Sequence, residues 1–335
     1  MIEIDGSYKE GGGQILRMSI AFSSLTKKPV RIFNIRGKRP NPGLRRQHMT
    51  AVEIVSNLCN ARVKENNLGS KEIEFFPGEI KGGKYFFDIG TAGSITLVLQ
   101  ACIPPSLFAE KETHLRIRGG TDVKWSPPWD YFQNVFLAFL KKMGCGIEAN
   151  LNARGYYPTG GGEVDVLIKP CKKLNTLKFE EKVEGIEGIV NIANLPYNIA
   201  ERIKKSAEEE IKKHGLTADI MIEETEADCP GVGFVIWTKG KIMGADGLGE
   251  KGKRAEDIGK EVSKKLIEEI KSGADIDERS VDQLLPYFAL MDDEISFKCR
   301  ELSKHAETEM WLIKKFLNVD FEVKKNELYE IKVKK

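Results

Sequence analysis

The feature that most constrains this chain is that it repeats. Strand-like segments ending in Arg-Gly occur twice, VRIFNIRG (Val30 to Gly37) and LRIRGG (Leu115 to Gly120). Each runs through a proline-containing loop into an amphipathic helix, NPGLRRQHMTAVEIVSNLC in one case and SPPWDYFQNVFLAFLKKMG in the other. Near the end, EISFKCREL leads in the same way into SKHAETEMWLIKKFL and then into VDFEV and LYEIKVKK. Upstream of each stands another helical segment: GGGQILRMSIAFSSL, GSITLVLQACI and SVDQLLPYFAL. One helix-strand-helix-strand-strand unit therefore appears three times, and such copies bury their apolar faces against one another.

Between the second and third copies the pattern changes. From about Glu184 it reads strand (GIEGIVNIAN), helix (Ile199 to Lys213), three strands (Thr217 to Glu226, Gly233 to Lys239, Lys241 to Gly247) and helix (Ala255 to Lys271). This predicts an inserted α/β domain over 184–276 within a core of 1–183 plus 277–335, and roughly a hundred residues is an ordinary size for such a unit. The fold class is α/β (α+β). A net charge of +2 excludes a wholesale polyanion binder, so nucleic-acid affinity has to come from clustered basic residues, and such a cluster lies between Arg31 and Arg46. The six cysteines are scattered with no CxxC pair, which predicts reduced core residues in a cytoplasmic protein. No segment reads as a secretory signal or is apolar for long enough to span a bilayer.

Asp5 to Arg17, DGSYKEGGGQILR, places an acid, three glycines and an arginine where a loop turns into a helix. Glycine leaves no Cβ between backbone N–H groups and a ligand, so the segment reads either as an anion loop or as a glycine-rich turn before a core helix. GLGEKG (Gly247 to Gly252) matches GxGxxG, but Arg254 stands where a P-loop needs Ser or Thr, and no second parallel strand follows; a tight turn is the better account. His48 and His305 fall at the same position of the first and third copies, near the start of the second helix. A helix N-terminus disfavours imidazolium, and a neutral imidazole there is able to attack phosphorus; the alternative is a surface or capping histidine. Arg36, Arg39, Arg45 and Arg46 precede His48 on one proline-stiffened loop, a density that suits bidentate phosphate binding.

With these residues in view, the chain resembles the RNA 3'-terminal phosphate cyclases. The matching segments are EGGGQILR, IRGKRPNPGLRRQH, GTAGSITLVLQ, RGGTDVKWSPPWDYF, RGYYPTGGGEV, VDQLLPYFAL and SKHAETEMWLIKKFL, in order from Asp5 to Leu317. The resemblance implies three βαβαββ repeats with a smaller thioredoxin-like α/β domain inserted before the third. It implies a reaction in which ATP adenylates a histidine, AMP passes to an RNA 3'-phosphate, and the 2'-OH closes a 2',3'-cyclic phosphate with release of AMP. The family's nucleophile falls on His305 and its metal-associated glutamate on Glu10, with Mg2+ or Mn2+ as the divalent ion. Its ATP contacts fall on Gln100 and on Arg279, Ser280, Val281, Asp282 and Gln283, with Asp282 either orienting His305 or binding the nucleotide. Its RNA-phosphate contacts fall on Arg17, Arg36, Arg39, Arg46, Gln47 and His48. The implied partner is an RNA with a 3'-phosphate end, without a membrane, and a homo-oligomer is compatible with the sequence.

Two other readings share the fold. Cyclase-like ribosome-biogenesis factors are RNA-binding relatives that lack the nucleophilic histidine, whereas this chain has His305 in an SKH context. Enolpyruvyl transferases use related repeats and basic phosphate sites, but need six repeats and no histidine nucleophile.

Overall fold

The computed structural model describes residues 1–171 and 173–335. The first unit comprises β1 (Ile2–Asp5), α1 (Gly13–Thr26), β2 (Val30–Phe33), α2 (Arg46–Cys59), β3 (Arg62–Lys64) and β4 (Ile73–Phe76), in a sheet ordered β1-β2-β4-β3. The second comprises β5 (Gly83–Asp88), α3 (Ile95–Leu107), β6 (Thr113–Gly119), a helical stretch, then β7 (Gly146–Ala153) and β8 (Gly162–Lys169), ordered β5-β6-β8-β7. That stretch joins α4 (Trp129–Tyr131) to α5 (Leu137–Lys142) through a π turn at Phe132–Phe136. In both units the first two strands are parallel, as a helical crossover requires, and the remaining pairs are antiparallel.

The different segment follows: β9 (Val183–Ala193), α6 (Asn198–Lys212), β10 (Ala218–Thr225), β11 (Gly231–Gly240), β12 (Gly244–Leu248) and α7 (Ala255–Ser272). Its sheet is ordered β10-β9-β11-β12, with β9 and β10 parallel and β11 antiparallel to both its neighbours. The last unit is α8 (Glu278–Leu290), β13 (Ile295–Cys299), α9 (Lys304–Phe316), β14 (Asp320–Lys325) and β15 (Tyr329–Lys334), with a sheet ordered β13-β15-β14. This unit starts on its helix. Where the others have a leading strand, the short link from Gly273 to Asp277 touches β13 at one residue, Asp275 N–H donating to Lys298 O at 2.8 Å and Lys298 N–H to Asp275 Oδ2 at 2.7 Å.

The helices of the three units face inward. Helix α1 is buried from Gln14 to Ser24 and packs against α2, α3 and α9. Ile15, Leu16, Ile20 and Phe22 on it are at most 1% exposed, each contributing about 1.5–3 kcal/mol of transfer free energy. Burial alternates along β6 and β8, so each sheet gives one face to this core. One apolar cluster joins residues from Ile4 to Val333; a separate one, from Ile186 to Ala274, lies between the β10-β9-β11-β12 sheet and α6 and α7.

The two clusters meet along a polar seam. Buried Arg154 donates to Asp130 (2.9 and 3.1 Å), to Asp122 (3.2 Å) and, on β10, to Glu223 (2.8 Å to each oxygen). Asn191 of β9 donates to Asp122 and Asp130 and accepts from the Tyr156 hydroxyl. Such a network fixes one docking geometry, because every member loses its partner if the units slide. Among the described residues no helix is long and apolar enough to cross a membrane.

Candidate active site

The glycine loop lies against the third unit. Tyr8 stacks on Trp311 of α9 with ring centroids 4.0 Å apart, and Lys9 pairs with Glu307 at 2.8 Å. Gly11 has φ +63, a conformation that favours glycine. Gly12 and Gly13 are needed for space: a Cβ on Gly12 would run into the Glu10 carboxylate, and one on Gly13 into the His48 ring. The loop therefore presses its backbone onto the residues that surround it.

Ser303 caps α9 by accepting from Ala306 N–H at 3.1 Å, which fixes His305 in the first turn. The His305 side chain is 45% exposed. Its Nδ1 lies 2.8 Å from Gln14 Oε1. The Gln14 amide nitrogen faces two acceptors, Glu309 Oε2 at 2.7 Å and the His305 carbonyl at 3.4 Å, so the amide oxygen is turned to the ring. Nδ1 then carries the proton, and Nε2 of the neutral ring keeps its lone pair. The Glu10 carboxylate, 3.6 Å from Nε2, is too far to compete for the ring proton.

His48 is equivalent in the chain and opposite in environment. It is 6% exposed, its Nδ1 accepts from Arg45 N–H at 3.2 Å, and its Nε2 faces the glycine loop. Burial, with Arg17, Arg36 and Arg45 nearby, pushes its pKa down to about 3, so it is neutral. Arg17 is buried as well. Burial lowers its pKa to about 10 against the pull of Glu309, Asp282 and Glu10, and among the described residues no carboxylate lies within ion-pair distance and its Nε has no partner. A buried guanidinium in that condition is a site for an anion.

The basic loop is divided. Arg46 is exposed at the start of α2, and Gln47 Oε1 accepts from Ser94 N–H at 2.8 Å, tying the first unit to the second. Arg39 pairs with Glu10 Oε1. Arg36 is turned inward, donating to the carbonyls of Asn41 (2.6 Å) and Gly43 (2.9 Å), so it holds the loop in shape. Glu10 Oε2 is buried without a partner. Among the described residues no three metal-ligating side chains cluster, which leaves Glu10 as a single carboxylate with one oxygen paired to Arg39 and one bare.

A cavity of about 370 Å3 opens beside His305. Gln14, Arg17, Gln100, Arg279, Asp282 and Gln283 line it. Ser280 and Val281 do not: Ser280 is bound to Asp277 and Tyr131, and Val281 is in the apolar core. The reason is helical period, since positions 279, 282 and 283 of α8 share a face and 280 and 281 point elsewhere. Burial raises the Asp282 carboxyl to about 6, with His305, Arg279 and Arg17 pulling it back, but the His305 ring donates its Nδ1–H to Gln14 Oε1. Gln14 ends the EGGGQ run, and its partners lie about three hundred residues away, beyond any local signal. Asp246 of β12 and Lys265 and Glu269 of α7 also line the cavity, and no motif in their flanking sequence marks them.

The family model described as RNA 3'-terminal phosphate cyclase matches residues 8–323. The chain is similar to an RNA 3'-terminal phosphate cyclase of Pyrococcus furiosus, 46% identical over 328 residues, 97% of this chain and 95% of that protein. It is similar to those of Ignicoccus hospitalis, 47% identical over 95% of this chain and 93% of that one, and Methanosarcina barkeri, 43% identical over 99% and 100%. An EPSP synthase structure from Acinetobacter baumannii gives a TM-score of 0.25 at 14% identity over 65% of this chain and 56% of that one, a likeness too slight to weigh.

Proposed function

The chain belongs to the RNA 3'-terminal phosphate cyclase family, and on that premise we propose that it converts an RNA 3'-phosphate to a 2',3'-cyclic phosphate at the expense of ATP, through an adenylated His305. The observation that carries the reading is that His305 presents a free Nε2 lone pair at a cavity that also holds the buried, unpaired Arg17.

In the first step Nε2 attacks the α-phosphorus of ATP, a P–N bond forms, and the α–β P–O bond breaks to release pyrophosphate. The positive charge that develops on the ring is met by Gln14 Oε1 at Nδ1–H. Arg17 stabilises the crowded anionic phosphorus, and Gln100, Arg279, Asp282 and Gln283 hold the nucleoside. In the second step an oxygen of the RNA 3'-phosphate attacks the same phosphorus and the P–N bond returns its electrons to Nε2. In the third, the 2'-oxygen attacks the 3'-phosphorus, AMP leaves, and the hydroxyl proton passes to solvent or a nearby base. Arg46, Gln47 and Arg39 line the approach of the RNA end, with Arg36 shaping their loop and neutral His48 offering one N–H from beneath it. A divalent ion on Glu10, Mg2+ or Mn2+, would neutralise charge on the triphosphate.

The test is label transfer from α-labelled ATP to protein, followed by a chase with 3'-phosphorylated RNA. Wild type is expected to take acid-labile label and His305→Ala none. Equal labelling of the two proteins would remove His305 as nucleophile.

A further inference from the structure

Two histidines in the first turn of their helices hold opposite ring protons. His48 accepts Arg45 N–H on Nδ1, so its own proton is on Nε2, whereas His305 gives its Nδ1–H to Gln14 Oε1. The state of His305 follows from which end of the Gln14 amide meets the ring, because an amide accepts at one end and donates at the other. One helical turn after His48 stands Val52, and one turn after His305, on the same face of α9, stands Glu309. Glu309 is 0% exposed, and its Oε2 accepts from Gln14 Nε2 at 2.7 Å. The other acceptor on that nitrogen, the His305 carbonyl, is at 3.4 Å. Reversing the amide would set its oxygen against Glu309 Oε2 and its N–H against Nδ1. The ring proton would then have to sit on Nε2, and the lone pair that attacks phosphorus would be lost.

We infer that Glu309 is a positioning residue for the nucleophile: by accepting the Gln14 amide N–H it turns the amide oxygen to Nδ1 and keeps the His305 lone pair on Nε2. This rests on the proposed adenylation of His305. Burial and Asp282 raise the Glu309 carboxyl above its ordinary range, against Gln14 and Arg17. A proton that it keeps belongs on Oε1, which has no partner, because Oε2 already takes the amide N–H. In either charge state Gln14 meets an acceptor. The reaction thus depends on a carboxyl that touches neither the reacting ring nor the substrate.

The experiment pairs two readouts on the full-length protein. Long-range proton–nitrogen spectra of histidine-labelled protein report which ring nitrogen carries the proton; with only four histidines, His305 is assigned by its disappearance in His305→Ala. Single-turnover labelling by α-labelled ATP with Mg2+ gives the rate and the half-saturation. Wild type is expected to show His305 protonated on Nδ1 and His48 on Nε2. Glu309→Met fills the space without an acceptor. It should move proton density at His305 to Nε2 and slow labelling at saturating ATP by about fivefold or more, with half-saturation within about twofold, since one hydrogen bond to a carboxyl sets the bias. Gln14→Glu combined with Glu309→Met presents an acceptor that needs no orienting, and should return the proton to Nδ1 and the rate to within about threefold of Gln14→Glu alone. A wild-type His305 protonated on Nε2 overturns the assignment whatever the variants do. So does slowed labelling of Glu309→Met with the ring proton unmoved, which would trace the loss to the charge removed beside Arg17, and so does a double variant as slow as Glu309→Met. Absence of label on wild type would remove the adenylation reading, while the ring spectra would still decide the role of Glu309.

Discussion

Replacing Gln14 by leucine is the sharpest test of how the nucleophile is held. The amide makes two short contacts at once, 2.8 Å to His305 Nδ1 and 2.7 Å to Glu309 Oε2, and leucine fills most of its volume while removing both. Glu309 is 0% exposed and its Oε1 already lacks a partner, so the variant leaves the whole carboxyl bare, at about 1–3 kcal/mol of stability. The lost partner at Nδ1 removes about 1–1.5 kcal/mol from the charged transition state, roughly tenfold in rate. The ring is also released to place its proton on Nε2, facing Glu10, and the expected total is about ten- to a hundredfold. Single-turnover labelling at saturating ATP measures the rate, and denaturant unfolding measures the stability. Gln14→Glu separates the two: it restores an acceptor for Nδ1–H and should recover labelling, while its charge beside Glu309 keeps the protein less stable. Labelling of Gln14→Leu within twofold of wild type, or Gln14→Glu as slow as Gln14→Leu, would refute the argument.

Four further outcomes are expected. Arg154→Met strands Asp122 and Asp130 in the buried seam and should cost about 3–5 kcal/mol in chemical denaturation; an unchanged midpoint would show the seam to be hydrated. Gly13→Ala drives a methyl into the enclosed His48 ring and should lose about 1–3 kcal/mol, read as a lowered melting temperature. Arg46→Ala, at an exposed position, should weaken use of the RNA end and flatten its salt dependence while leaving protein labelling intact, and equal loss in both steps would move Arg46 to the nucleotide. Burial and Asp277 raise the Glu269 carboxyl from 4.5 to about 7 against Arg300. The folded protein therefore keeps a proton between pH 4.5 and 7 that the unfolded chain has released, so this group's contribution to stability falls as pH rises through that window. Glu269→Gln should lack that fall, and parallel pH profiles for the two proteins would contradict it.

What the sequence made legible was whatever is local. The helix-strand-helix-strand-strand period, the glycine loop and the SKH start of α9 are each written in a run of neighbouring residues. The roles inside α8 were only half readable, because five consecutive residues point around a helix and only its packing decides that Arg279, Asp282 and Gln283 face the cavity. Arg36 reads as a phosphate ligand by type, yet its Nη1 is donated to two turn carbonyls of its own loop. Gln14 gains its contacts from partners in another unit, and nothing in its flanking sequence records them.

The link from Gly273 to Asp277 makes the segment from β9 to α7 hard to remove. The same few residues cover Lys298 on the open side of β13 and supply, in Asp277, the cap of α8. A shortened protein that bridges the core directly would bare the backbone of a five-residue strand to other molecules, and would loosen the helix that carries Arg279 and Asp282. Such a deletion should first announce itself as self-association through β13, before any loss of chemistry is measured.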